Sequence, residues 1–507
     1  MSLLGRVRRF FTGGSKPRLA GDSPLPIRAK YDNAQTTDNN AYHWASADSY
    51  DADSANSKAV RSTLAKRSRY ETENNGDAKG INLTHANYVV GRGPVLRMES
   101  GNKGFNDAVE AVWKRWAKLV KLARKLRTMV KARVRDGEAF LFITSNPTLP
   151  EKVRLDVVGI ECEQITTPYL PYRESNRIDG IKFDEWGNPL WYDMLKYHPG
   201  GQWAQLLVDP ERVPAKFMLH LFREDRPGQH RAVPEITSTL GNFAQNRRFR
   251  EAVISAAENI ANFSVLVKTG ASLDEGPDQL TTFSTLPVQK GMMVALPGGG
   301  DAFQPKAEQP SATYSEFTRS QLREEARPLN MPYNIAACDS SDYSFSGGRL
   351  DHLTYFVSVD VDQADIEDTV LDPLFEIWFA EAVLEYGWND TGSTPAHSWA
   401  WPPRPQIDDE KTARARQTNL ATGTETPSNI ANENGYDYED HVQRLASDYG
   451  VGVEEIKQAL FRVNVLSKAG SFAQPQPTEK TEDSPPGKAN RVNRIKRLAK
   501  PNGNGRA

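Results

Sequence analysis

The chain has 507 residues, 38% of them hydrophobic and 25% charged, a length that suits several domains at roughly 100–200 residues each. Lys and Arg (63) nearly balance Asp and Glu (65), and the formal net charge of −2 excludes a protein that grips nucleic acid over its whole surface. Cys162 and Cys338, far apart, exclude a disulfide scaffold or a paired-cysteine zinc site and suit a reducing cytoplasm.

Charge is unevenly spread. Arg6, Arg8, Arg9, Lys16 and Arg18 precede the first acid, Asp22, and the C-terminal stretch carries Lys488, Arg491, Arg494, Lys496, Arg497, Lys500 and Arg506 without an acid. Met1–Phe11 lacks the apolar core of a secretory signal. No apolar run approaches the ~18 residues that span a bilayer, so no membrane partner is expected. Residues 1–56 lack sustained periodicity and read as an extended arm.

From Ser57 the pattern is helical. Ala78, Ile81, Ala86, Val89 and Val90 recur at near-helical spacing until Gly91 and Gly93-Pro94 stop the run. One amphipathic helix is predicted over 104–130. Val109, Val112, Trp113, Trp116, Leu119, Val120, Ala123 and Leu126 lie on one face, and Lys114, Arg115, Lys118, Lys121, Arg124 and Lys125 lie largely on the other. Such a basic face suits DNA or plain solvent.

After Asp136-Gly137 the period becomes strand-like, with candidates at 139–144, 155–158, 180–195 and 217–222. The class is therefore α+β. A helix over 235–263 would extend about 43 Å at ~1.5 Å per residue. Strand and turn residues fill 264–312, and a shorter helix over 314–327 stops at Pro328. Asp339–Gly348 is Ser, Asp, Gly and two aromatics, a loop composition, and 350–382 is helical with a bend at Pro373. Helices over 408–420 and 438–460 form a last acidic domain, and the Pro-, Gln-, Thr- and Lys-rich segment beyond Ala473 reads as disorder.

Catalytic motifs are weak. A phosphate loop needs G-x-x-x-x-G-K-[ST], and Gly13-Gly14-Ser15-Lys16, Gly91-Arg92-Gly93 and Gly487-Lys488 all lack that spacing. Asp136 and Glu138 are a carboxylate pair of the kind a nuclease uses for Mg²⁺, but the signal is weak and a turn acid before a strand is the favoured reading. His198, His220 and His230 group only loosely. Asp351 and His352 are adjacent on a helix and point about 100° apart, which rules out a triad pairing. No enzyme activity and no cofactor is expected.

Six segments, in order, resemble the portal proteins of lambda-like tailed bacteriophages. They are RSRYETENNGDAKG (Arg67–Gly80), VGRGPVLRM (Val90–Met98), VRDGEAFL (Val134–Leu141), FDEWGNPLWY (Phe183–Tyr192), HLFREDRPGQHRAVPEI (His220–Ile236) and NMPYNIAACDSSDYSFSGGRLDH (Asn330–His352). The resemblance implies a portal fold: an arm (1–56), a mixed α/β wing (57–234), a first stem helix (235–263) and a β-containing clip (264–312). A second stem helix (313–329), a channel loop region (330–349), a wing helix and return segment (350–400), a helical crown (401–470) and a basic tail (471–507) follow.

It also implies a ring of twelve copies at one capsid vertex, around a channel through which double-stranded DNA slides during packaging and ejection. Implied partners are the terminase large subunit, head-completion or adaptor proteins, the major capsid protein and its scaffold. The protein would assemble in the host bacterial cytoplasm and remain in the virion. Carried onto this chain, the channel loop is Asp339, Ser340, Ser341, Asp342, Tyr343, Ser344, Phe345 and Ser346, with Arg349 and His352 as its anchors. Stem positions are Phe243, Arg247, Arg250, Ile254, Phe317 and Arg323, and clip positions are Leu296, Pro297, Gly298, Asp301 and Phe303. A shell or head–tail adaptor protein without a channel is the alternative reading, and a nuclease built on Asp136 and Glu138 is a third.

Overall fold

The computed structural model describes residues 38, 41–167, 176–202, 210–262, 266–268, 301–303, 313–388, 393–404 and 409–466. Residues 1–55 are a unit of their own, whose described part is turns and one short helix, α1 (Ala52–Ala55). Residues 56–507 form the second unit. No helix among the described residues is long and apolar enough to cross a membrane.

The second unit opens with α2 (Lys58–Asn74) and α3 (Gly76–Val90). The Asn75 side chain starts α3 by accepting from the Asp77 amide at 3.0 Å, and Gly91, at φ 52°, ends it. β1 (Val95–Met98) follows. The single helix predicted over 104–130 is two: α4 (Lys103–Leu119) and α5 (Leu122–Asp136), separated by Lys121 in the left-handed region at φ 55°. The two halves have different neighbours, α4 packing on β1 and α5 on α3 and the central sheet. Gly93 sits so close to Ala123, at the start of α5, that a Cβ would come within 2.6 Å of its methyl group.

β2 (Glu138–Ser145) is the centre of a three-stranded antiparallel sheet, between β3 (Leu155–Ile160) and β8 (Met218–Phe222). Alternate residues of β2 serve two cores. Ala139, Leu141 and Ile143 join the large core, while Phe140 faces a smaller one with Ile165, Ile181, Tyr192 and Val213. A second sheet, β4 (Arg177–Ile178), β5 (Ile181–Phe183), β6 (Pro189–Met194) and β7 (Glu211–Pro214), builds that smaller core.

The predicted helix over 235–263 begins as a 3₁₀ segment, Glu235–Thr239, and continues as α6 (Leu240–Asn262). β9 (Leu266–Lys268) pairs antiparallel with β10 (Asp301–Phe303). After α7 (Tyr314–Ala326) and the short α8 (Tyr333–Ala336) come α9 (Phe345–Ile366), a π-helical turn (Glu367–Leu371) and α10 (Asp372–Tyr386). The irregularity associated with Pro373 lies in the turn that precedes it. The proline's missing N–H removes a bond, and the turn before it widens to the π form.

β11 (His397–Ala400) pairs with β1. The last domain is α11 (Asp409–Thr422), α12 (Pro427–Glu433), α13 (Tyr438–Tyr449) and α14 (Val453–Phe461). The one helix predicted over 438–460 is thus split, at Gly450 with φ 66°.

Trp113 is the hinge of the large core, with ring centroids of Trp116, Phe375, Trp378 and Trp399 all within 4.8–5.4 Å. Two buried arginines join distant elements. Arg133 on α5, 0% exposed, contacts Glu235 (Nε to Oε1, 2.8 Å) and Asp362 of α9. His85 of α3 shares Asp362 at 3.2 Å and meets the Tyr355 hydroxyl at 2.9 Å. Burial alone would raise the Asp362 pKa, but the His85 hydrogen bond and the Arg133 charge hold it down at about 2.

Arg231, just ahead of the 3₁₀ segment, donates through Nε to Glu138 Oε2 at 2.8 Å, through Nη1 to the Ile165 carbonyl at 3.1 Å and through Nη2 to the Cys162 carbonyl at 3.2 Å. Removing one partner of a buried ion pair costs about 3–5 kcal/mol, because the other charge stays behind unpaired. Arg231→Ala is therefore expected to lower the unfolding free energy of the full chain, from urea titration followed by circular dichroism, by that order; an unchanged midpoint would show that Glu138 is solvated in solution.

α6 and α7 form an antiparallel hairpin whose base holds an isolated acid. Glu325 is 0% exposed and accepts one bond, from Asn246 Nδ2 at 3.1 Å. Burial pushes its pKa up to about 7, against the Asn246 bond and Arg250, with Asp77 and Glu71 adding repulsion. A raised carboxyl pKa means the folded chain holds this proton more tightly than the unfolded one. Its contribution is full below the unfolded value near ~4.3 and is lost as pH rises through about 7. Glu325→Gln should melt above the parent chain at pH 8, with the gap closing by pH 5 in thermal scans.

Candidate functional site

The stem positions fall on the α6–α7 hairpin. Phe243 is fully buried near the start of α6, and its carbonyl accepts from the Asn75 side chain at 3.4 Å. Arg247 reaches Glu71 of α2 at 3.1 Å and stacks over Tyr70, while Arg250 reaches Asp77 of α3 at 2.7 Å. Both arginines thus bind the hairpin to the preceding helices.

Farther along, Ile254 is 58% exposed. Phe317 of α7 meets Phe249 edge-on at 4.9 Å, yet remains 45% exposed. Arg323 lies over the Tyr333 ring at 5.6 Å, beside Arg319 at 5.5 Å. Of the clip positions, Asp301 and Phe303 are on β10, opposite Lys268 and Leu266. Leu296, Pro297 and Gly298 lie outside the described residues.

The loop is shorter than its composition indicates. Residues 337–344 are non-helical, and Phe345 and Ser346 already belong to the first turn of α9. Ser344 is the cap, its hydroxyl accepting from the Gly347 amide at 3.2 Å, so the Gly347-Gly348 pair is helical. Asp339 organises the turn. Its amide donates to the Asn334 carbonyl at 3.1 Å and its carboxylate accepts from the Ser341 amide at 3.0 Å. The Tyr343 amide donates to the Ser340 carbonyl at 3.2 Å. Serine hydrogen bonds lower the Asp339 pKa, with Arg319 adding to the effect.

Arg319 of α7 is the anchor that sequence reasoning missed. It pairs with Asp342 and stands 3.8 Å from Asp339. Its charged form is favoured first by the Asp342 hydrogen bond. The available signal was Arg319 and Arg323, one turn apart on a helix otherwise carrying Glu316, Glu324 and Glu325. The expected anchors do something else. His352 packs among Tyr88 and Phe356, and Arg349 is exposed with no acid paired to it among the described residues.

Asp136 and Glu138 do not form a metal pair. Asp136 is held by Arg69 and Arg135, each at 2.7 Å, and Glu138 by Arg231 and His220, so arginines fill both carboxylates. The three histidines are dispersed. His220 stacks on Phe140, and His230 lies against Phe183. His198 stands 3.4 Å from Glu161 and 3.6 Å from Glu163. Those last three could offer ligand atoms to one cation, but Arg69 already donates to Glu163 at 2.8 Å. On the basic helix face, Arg115 pairs with Glu151 and Lys125 with Asp156, while Lys114, Lys118, Lys121 and Arg124 are exposed.

Comparison with known proteins finds likenesses of three kinds, to solved structures, to a curated sequence and to a family. Chains from gene transfer agent particles share 13% identity. One from the virion of a native particle covers 74% of this chain and 93% of its own length, with a TM-score of 0.38. One from the neck of an empty particle covers 73% and 93%, with a TM-score of 0.42. A "Probable portal protein" of Halomonas phage phiHAP-1 is 24% identical over 422 residues, 76% of this chain and 80% of that protein. The family described as phage portal protein, lambda family, matches residues 38–363, more than half of the sequence. That span includes the central sheet, the α6–α7 hairpin, the Arg319-tethered loop and most of α9, and the chain belongs to the lambda family of phage portal proteins.

Proposed function

We propose that the chain assembles as a closed ring, of twelve copies on the family pattern, at one capsid vertex. The ring surrounds a channel through which double-stranded DNA is packaged and later ejected. The α6–α7 hairpin is the stem, the β9–β10 pair belongs to the clip, and residues 337–344 line the channel. The terminase large subunit docks during packaging, head-completion or adaptor proteins follow, and the major capsid protein and scaffold surround the ring. The chain itself has no catalytic role, assembles in the bacterial cytoplasm and stays in the virion.

The observation that carries this reading is the hairpin fixed at its base by Arg247 and Arg250 while Ile254 and Phe317, farther out, remain exposed. A hairpin that cannot cover its own apolar side chains is completed by copies of itself. The tethered loop supports passage rather than gripping. Its two acids repel phosphate and its nearest arginine is already paired, so counterion release on DNA contact is small.

Negative-stain microscopy of the purified full chain is expected to show rings with a central hole; only compact monomers at micromolar concentration would refute the reading. Deleting Ser340–Tyr343 spares the Ser344 cap, so rings should form as before while in vitro packaging yields fewer DNA-filled heads. Arg319→Ala should act in the same direction and more weakly. Loss of rings in the deletion would show that the loop is an assembly element instead.

A further inference from the structure

A cleft of about 1060 Å³ opens between α9, the β1–β11 ribbon and the helices α11 and α12. Its wall carries five arginines, Arg92, Arg97, Arg349, Arg404 and Arg416, against one acid, Glu433. On a chain of net charge −2 this is a marked local excess. Three of the arginines are taken: Arg97 by Glu110 at 3.5 Å, Arg404 by Asp360, and Arg416 by Glu433 at 2.9 Å. Arg92 and Arg349 are exposed, and no acid pairs with either among the described residues. The rest of the wall is largely apolar, with Leu353 (50% exposed), Trp401, Pro402 and Pro403. An occupant needs an apolar body and free carboxylates.

The chain carries that chemistry elsewhere, at the corner between α13 and α14. Gly450 turns the backbone there and leaves Tyr449 73% and Val451 40% exposed. Asp448, Glu454 and Glu455 surround them, all exposed, and the neighbouring Lys457 is occupied by Glu439 at 2.9 Å. Tyr449 and Val451 thus give the corner an apolar body ringed by free carboxylates, the two features that the cleft wall complements.

We propose that the Asp448–Glu455 corner of one copy seats in the cleft of the next. Tyr449 and Val451 lie against Leu353 and the 401–403 wall, and the carboxylates meet Arg92 and Arg349. The proposal rests on the ring reading above and names the surfaces that join neighbours. Corner and cleft are different patches of one chain, so the contact is heterologous. Each copy gives its corner to one neighbour and its cleft to the other, the pattern that closes rings. Nucleic acid suits the cleft less well. The Arg404 guanidinium covers Phe356 at 4.5 Å, and the Trp401 indole N–H is committed to Glu367, so these two rings are poorly placed to stack on a base.

Charge reversal tests the contact in the full chain, with light scattering across a dilution series. Arg92→Glu with Arg349→Glu, or Asp448→Lys with Glu455→Lys, should each raise the concentration at half-assembly by roughly tenfold or more. Combining all four substitutions should return it to within about threefold of the parent chain. Circular dichroism checks that these surface variants are folded. A photo-cross-linking residue at position 449 reads the same contact in an otherwise unaltered chain, and its links should map to Arg349–Leu353 or Trp401–Arg404 of a second copy.

Links to another face, links only within one copy, or a four-fold variant that stays as weak as the doubles would overturn the proposal. Rings that form at an unchanged concentration in both doubles would remove this contact and leave the ring reading standing. A parent chain that never leaves the monomer would remove both. Single-stranded oligonucleotide that binds the parent chain and is lost with Arg92→Glu and Arg349→Glu, while assembly is unaffected, would reassign the cleft to nucleic acid.

Discussion

The buried guanidinium of Arg133 is the constraint on which most of the fold depends. It is fully removed from water and faces carboxylates from two other parts of the chain, Glu235 just ahead of the α6–α7 hairpin and Asp362 on α9. A cation in that position is tolerable only while both acids are present and correctly placed. The point where the hairpin leaves the body is therefore fixed relative to the long helix that follows the loop. His85 and Tyr355 extend the same network to α3, so four segments share one electrostatic requirement. Arg231 repeats the device a few residues before Glu235, holding the central strand through Glu138. The two arginines make the junction specific in a way that an apolar contact of equal area would not.

Beyond that junction the constraints weaken in steps. Arg247 and Arg250 hold the near half of α6 to α2 and α3 through single ion pairs that are partly solvated. The protonatable Glu325 sits where these restraints end, buried against Asn246. Past it, Phe249, Tyr314 and Phe317 stack between the two helices. The hairpin is held firmly at its base and leaves Ile254 and Phe317 uncovered farther out, a gradient that suits the assembly proposed above.

Periodicity made the elements legible, and it failed where backbone chirality or a partner decides. The apolar stripe from Val109 to Leu126 is continuous in sequence, so nothing in it marks the left-handed Lys121; the break comes from Gly93 admitting Ala123 at close range. Gly347-Gly348 reads as loop because glycine is a poor helix former, and the Ser344 cap overrides that preference. Composition located the loop, and the family motifs added only the expectation that it lines a channel. Its anchor stayed hidden, since Arg319 meets Asp342 through a fold that brings α7 beside the loop. The same applies to Arg133 and Asp362, 229 positions apart, and to Arg231 and Glu138, 93 apart. Asp136 and Glu138 looked like a metal pair because sequence shows acids close together and conceals the arginines that neutralise them.

The manner in which the loop is held bears on how a channel would work. Arg319 and Asp339 are half-buried and Asp342 is exposed, so the tether is partly solvated, contributes little stability and is screened by salt. Internal hydrogen bonds of Asp339 keep the turn folded whether or not Arg319 is engaged. A passing phosphate can exchange with Asp342 for the guanidinium at small net cost, because one ion pair replaces another. Release of Asp342 then adds a repelling charge beside the same phosphate, which shortens the contact. An acid–arginine–acid arrangement at this point favours brief, sequence-independent contacts over retention. On the proposed reading it lets the loop follow the DNA without becoming its brake.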